Sequence, residues 1–95
     1  MVIRILDIVP GADTAEQGEA VYSRLQTALE NGGSVTVSFD GLDIATSSFV
    51  ATAFLPLLEQ HSFGDLKRRL HVINSTRKIN QMIKSRMERE AAKAA

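Results

Sequence analysis

VTVSFDGLDIATSSFVATAFLPLL, residues 35–58, reads as a strand, a short polar loop and a helix in direct succession. From Ser34 to Phe39 the pattern alternates strictly, with Val35, Val37 and Phe39 on one side and Ser34, Thr36 and Ser38 on the other. A strand buried on both faces reads as a continuous apolar run, so this one belongs to a sheet covered mainly on one side. After Asp40-Gly41-Leu42-Asp43-Ile44-Ala45, the hydroxyls of Thr46, Ser47 and Ser48 mark a helix start, because a side-chain oxygen there satisfies a free amide of the first turn. Phe49–Leu58 is then apolar over an arc of about 200°, against about 100° for an ordinary surface helix. Such a helix is enclosed by its neighbours or leaves apolar surface for a partner. Pro56 removes one helical bond and should loosen or kink the helix, an effect read here as a matter of packing.

Working toward the N-terminus, Val2–Val9 is rich in β-branched residues and ends at Pro10-Gly11, as a strand and turn would. Asp7 interrupts its pattern, which predicts a bulge or an early strand end. Thr14-Ala15-Glu16-Gln17 has capping-box spacing. The helix that follows places Val21, Leu25, Ala28 and Leu29 on one stripe and is stopped by Asn31-Gly32-Gly33. Toward the C-terminus, Arg69–Ile73 predicts a third strand with Leu70 and Val72 inward. A last helix runs from about Ser75 to about Arg89 behind an Asn74/Ser75 cap, with Ile79, Met82, Ile83 and Met87 as its stripe. Alternating strands and helices imply parallel pairing through crossovers. The expected architecture is therefore a small α/β chain, a βα superhelix in sequential order with helices mainly on one face. It forms one domain over residues 1–89, with 90–95 as a fraying tail.

Composition narrows the function classes. The chain has 95 residues, zero cysteines and 44% hydrophobic residues, which suits one globular domain and excludes disulfide stapling and thiolate chemistry. The longest apolar run, Phe49–Leu58, is well short of the roughly 20 residues a bilayer core requires. Met1-VIRILDIV is too short and too charged for a secretory segment, so a cytoplasmic protein is expected. Net charge is zero but divided: residues 1–60 carry two basic against eight acidic residues, and residues 61–95 carry nine basic against three acidic. Two faces that attract each other explain this better than a nucleic-acid surface. No aromatic residues interleave with the basic ones, no nucleic-acid motif is present, and the pI is near 6.7. There is no phosphate-binding glycine loop, nucleophile elbow or metal-ligand spacing. His61 and His71 are isolated surface residues by position, and Asp40 with Asp43 at a strand end is a weak catalytic signal. The expectation is a non-enzymatic protein without metal or cofactor.

Thr46, Ser47 and Ser48 are open to two readings, a plain N-cap and an anion or phosphate site supported by free amides and the helix dipole. Here the chain resembles STAS domains, the fold of sulfate-transporter tails and anti-sigma factor antagonists. The resemblance rests on the strand ending in Phe39-Asp40-Gly41, the apolar step of Leu42 and Ile44, and the Ser47-Ser48 pair opening an apolar helix. It is closer still to a STAS-like family of unassigned function. Gln17-Gly18 before the first helix and Val72-Ile73-Asn74 before the last also fit that group, and the similarity spans about residues 14–85. The resemblance implies a partner-switching module that docks a histidine-kinase-like ATPase or an anti-sigma factor and is released by serine phosphorylation. The matching phosphoacceptor is Ser47, with Ser48 and Thr46 as rivals, and the implied partner contacts are Asp43, Phe49, Val50 and Phe54. The chain departs from the antagonist pattern at Thr46, where an Asp is usual, and at Phe49-Val50-Ala51, where a Gly-Leu-Gly type of run is usual. A constitutive homodimer or adaptor without phosphorylation is the alternative.

Overall fold

In the computed structural model, which describes residues 1–94, Val35, Val37 and Phe39 are fully enclosed while Thr36 stays partly open. Val35–Val37 belong to β2 (Val35–Ser38), with Phe39 just past its end, and β2 is flanked by β1 (Val2–Arg4) and β3 (Leu70–Ile73) in the order β1-β2-β3, both pairs parallel. The chain thus adopts the expected α/β architecture in sequential order. Its helices are α1 (Ala15–Glu30), α2 (Ser47–Phe54), α3 (Phe63–Arg69) and α4 (Arg77–Ala94).

The register shows why one sheet face is covered and the other open. Ile3, Val37 and Val72 lie in one cross-strand row beneath the helices. Val2, Thr36 and His71 form a row on the opposite face, where Val2 is 67% exposed and His71 is exposed. Ser38 is the exception on that face: it is buried because its hydroxyl accepts from the Asp40 amide and the Asn74 side chain.

β1 ends early, as Asp7 signals. From Ile5 the chain turns into a short 3-10 helix, with Ile5 buried and its carbonyl accepting from both Ile8 and Val9 at 2.9 and 3.0 Å. α1 opens on the full Thr14/Gln17 capping box and ends at Gly32 and Gly33, whose φ values are +83° and +81°. α2 gives way at Leu55 to a 3-10 helix over Leu55–Glu59, so Pro56 changes the helical pitch. The cap of α4 is Thr76, whose hydroxyl accepts from Ile79 at 3.1 Å, and not Asn74/Ser75. Asn74 instead sits at φ +57° as the turn out of β3. α4 continues to Ala94, past the expected end at Arg89, and Ala95, the last residue of the tail, lies outside the described residues.

α3 is absent from the sequence reading. It is seven residues long with Leu66 as its one buried residue, too short to show a stripe. The signal that could have found it is Ser62-x-x-Asp65, since Ser62 caps the Asp65 amide at 3.1 Å. Its extent also corrects the role of Arg69, which ends α3 and does not start the strand. The Arg69 guanidinium donates to the carbonyls of Leu29 and Gly33 at the C-terminal end of α1 and is held by the Asp65 carboxylate at 2.9 Å. His61, expected at the surface, has a side chain only 12% exposed and pairs with Gln26 at 3.3 Å.

Hydrogen bonding from Arg69, together with the charge of Arg69 and Arg68, holds the Asp65 carboxyl below its ordinary value. A carboxylate depressed in the folded state stabilises above its unfolded pKa and loses that contribution as pH falls through the folded one. Stability should therefore decline as pH drops below about 4, and Asp65→Asn should flatten that acid limb while lowering the melting temperature at neutral pH. Thermal melts between pH 2 and 7 check this, and parallel curves for the two proteins would contradict it.

Candidate functional site

The loop from β2 to α2 is built by bonds that its own residues supply. The Phe39 amide donates to Ile73 at 3.0 Å, and the Leu42 amide returns to Phe39 at 2.9 Å, closing a turn around Gly41 at φ +86°. Asp40 is tied to Arg4 at 3.3 Å, and Arg4 also reaches Asp7 at 3.1 Å. One carboxylate of the weak Asp40/Asp43 pair is therefore committed to an ion pair.

Thr46 joins this loop to the start of α1. Its amide donates to Ala12 at 3.0 Å and its hydroxyl donates to the Asp13 carbonyl at 2.9 Å. The same oxygen accepts from the Phe49 amide at 3.2 Å. Both hydroxyl functions are thus spent on holding the helix start, and Thr46 is the cap of α2. As a phosphoacceptor candidate it is corrected, because modifying it would break the cap and the bridge together.

Ser47 and Ser48 occupy the first turn of α2 and are exposed, and among the described residues neither hydroxyl has a protein partner. Asp43 is exposed on the preceding loop, and the Asp13 segment is held against the helix start. Two acidic residues thus lie on the segments that adjoin the serine turn. A phosphate there would meet free amides and the positive helix end but would also add to an existing negative field.

Phe49, Val50 and Phe54 are all 0% exposed, which corrects their expected role as partner contacts. Phe39 meets Phe49 edge-on at 6.5 Å and stacks with Phe54 at 6.4 Å, so the three rings form the centre of the core. The wide apolar arc of α2 is explained mostly by α1, α4 and the sheet closing around it. At Gly18 of α1, an added Cβ would lie 2.7 Å from the Phe49 carbonyl oxygen, which shows how closely the two helices cross. What remains outside is narrower. Ala51, Leu55 and Leu58 are half-buried along the outer side of α2 and its continuation, and Ile44 is 72% exposed just before the serines. Sequence reasoning places Ile44 in the motif but not among the contacts; a large apolar residue between Asp43 and the hydroxyl run is the signal that marks it.

A sequence profile for a family described as a STAS-like domain of unknown function matches residues 17–80. The chain belongs to this family. The matched segment begins at Gln17 of the α1 capping box and ends at Asn80 on the first turns of α4, so it contains the α1–α2 crossing and the whole serine site of the STAS-like domain. No curated protein and no solved structure matches the chain. No helix among the described residues is long and apolar enough to cross a membrane.

Proposed function

We propose that this STAS-like domain is a non-enzymatic protein-interaction module that docks a partner through the exposed side of the α2 start. The observation that carries the reading is the pairing of exposed Ser47 and Ser48 with exposed Ile44 on a helix start anchored by Thr46. Ile44 supplies the apolar contact, with Ala51, Leu55 and Leu58 continuing it along the helix. Ser47 is the switch. Phosphorylation would place about 1.5 to 2 negative charges at the centre of that contact. Beside Asp43 and Asp13 such a charge repels an acidic partner surface. A histidine-kinase-like ATPase, which would supply the phosphate, or an anti-sigma factor is the partner class the family resemblance favours, in the cytoplasm of a bacterial cell.

Two changes separate this reading from its rivals. Ser47→Asp and Ile44→Asp lie on exposed positions and should leave the melting temperature within a degree or two, while each weakens partner binding by about tenfold or more. Affinity is read against the protein recovered from host lysate by the unmodified chain and released differently after phosphatase treatment. If both variants hold that partner as tightly as the parent does, docking at this site fails. If Ile44→Asp alone weakens binding, the surface works as a constitutive adaptor or homodimer contact without a phosphoserine switch.

A further inference from the structure

β3 is an edge strand, and the groove beside it has features of a second recognition site. The Phe39 amide donates to the Ile73 carbonyl, so Ile73 faces β2 with its peptide groups. Backbone groups alternate in direction along a strand, so Val72 turns its N–H and C=O away from β2, and Leu70 turns its carbonyl the same way. Among the described residues no strand pairs on that side. Directly beside this edge, α3, β3 and α4 enclose a groove of about 270 Å³, open on one side and floored by Leu66, Val72, Ile83 and Met87. Lys67 from α3 and Lys84 from α4 both line it, and both are exposed. Among the described residues neither lysine has an acidic partner: Asp65 is taken by Arg68 and Arg69, and Glu90 by Lys93. Lys67 leans over the Phe63 ring at 5.4 Å, which keeps its charge at the rim of the groove.

We infer that β3 and this groove form a docking site for an extended, acidic segment of a partner protein, added to the sheet as a further strand. Such a segment takes up the outward peptide groups of Val72 and the Leu70 carbonyl. Its side chains on the helix side enter the apolar groove, and its carboxylates meet Lys67 and Lys84. A second copy of this chain is disfavoured as the occupant, because a symmetric pairing of β3 with its copy brings the lysines of both together. The open side of the groove likewise disfavours a small ligand, which needs most of its surface enclosed. The site lies on different elements from the serine surface and stands or falls without it.

The test uses the full chain and a capped hexapeptide, Asp-Thr-Leu-Thr-Asp-Thr, whose helix-side positions carry a leucine flanked by two aspartates, followed by amide chemical-shift mapping. Saturable shifts at Leu70–Ile73, Lys67 and Lys84, together with slowed hydrogen exchange of the Val72 amide, are the expected result. Affinity should fall about tenfold or more in the Lys67→Glu, Lys84→Glu double variant, whose changes are both at exposed positions. Absence of shifts up to about 5 mM peptide overturns the inference. So does equal binding of a peptide with lysine in place of aspartate. Saturation of the groove by dodecanoate but not by the peptide would assign it to a small amphipathic anion. Concentration-dependent changes at β3 without peptide would assign the edge to self-association.

Discussion

Truncating Phe49 to alanine is expected to destabilise the domain by about 3–5 kcal/mol, the range for removing a fully buried aromatic ring. Phe49 is 0% exposed and meets Phe39 edge-on at 6.5 Å, while Phe39 stacks on Phe54 at 6.4 Å. The loss therefore includes the transfer of the ring, the cavity left behind and one aromatic pair. A domain of this size has a total stability of about 5–15 kcal/mol, so the variant is expected to melt far below the parent or not fold at physiological temperature. Urea denaturation at low temperature measures the effect as a lowered midpoint with little change in slope. The outcome also separates two roles for the residue. A core residue costs stability first and binding only through unfolding. A Phe49→Ala protein as stable as the parent but poor in partner binding would return the ring to the docking surface.

Gly18→Ala should cost about 1–3 kcal/mol although alanine is the better helix former by about 1 kcal/mol. The added Cβ would stand 1.9 Å from the Thr52 hydroxyl oxygen and 2.7 Å from the Phe49 carbonyl oxygen. The hydroxyl can rotate away, at the loss of its bonds to the Ser48 and Phe49 carbonyls. The carbonyl is part of α2 and moves only if the two helices separate. Adding Thr52→Ala should restore part of the stability and leave the part due to the backbone, which a double-mutant cycle by denaturant melts resolves. Full restoration would mean that the helices are not in backbone contact. Because α1 and the start of α2 are also joined through Thr46, separation at Gly18 should loosen the serine site as well.

These two residues show how much could be read along the chain. The strict alternation of β2, the capping box of α1 and the β–loop–helix order of residues 35–58 are local features, and the structure repeats them. They are legible because a strand buried on one face needs period two and a free helix start needs an acceptor. The wide apolar arc of α2 was also legible, but not its destination. Whether Phe49 and Phe54 face a partner or the core depends on what closes over them, and α4 and the α1 crossing come from distant positions. α3 escaped detection because seven residues with one buried side chain carry no period. Arg69 looked like a strand residue because its use, holding the end of α1 through Leu29 and Gly33, lies some 40 positions away in sequence.

At the serine site the division is the same. A run of three hydroxyls announces a helix start, since any of them can accept from the first turn. Choosing among them required the position of the Asp13 carbonyl, which consumes the Thr46 proton and leaves Ser47 and Ser48 to solvent. Element type and order follow from near-neighbour chemistry along the backbone, so residue order was enough to establish them. Which hydroxyl is free, which ring is enclosed and which strand edge lies open follow from contacts between segments far apart in the chain. Those contacts exist only once the helices have packed on one face of the sheet.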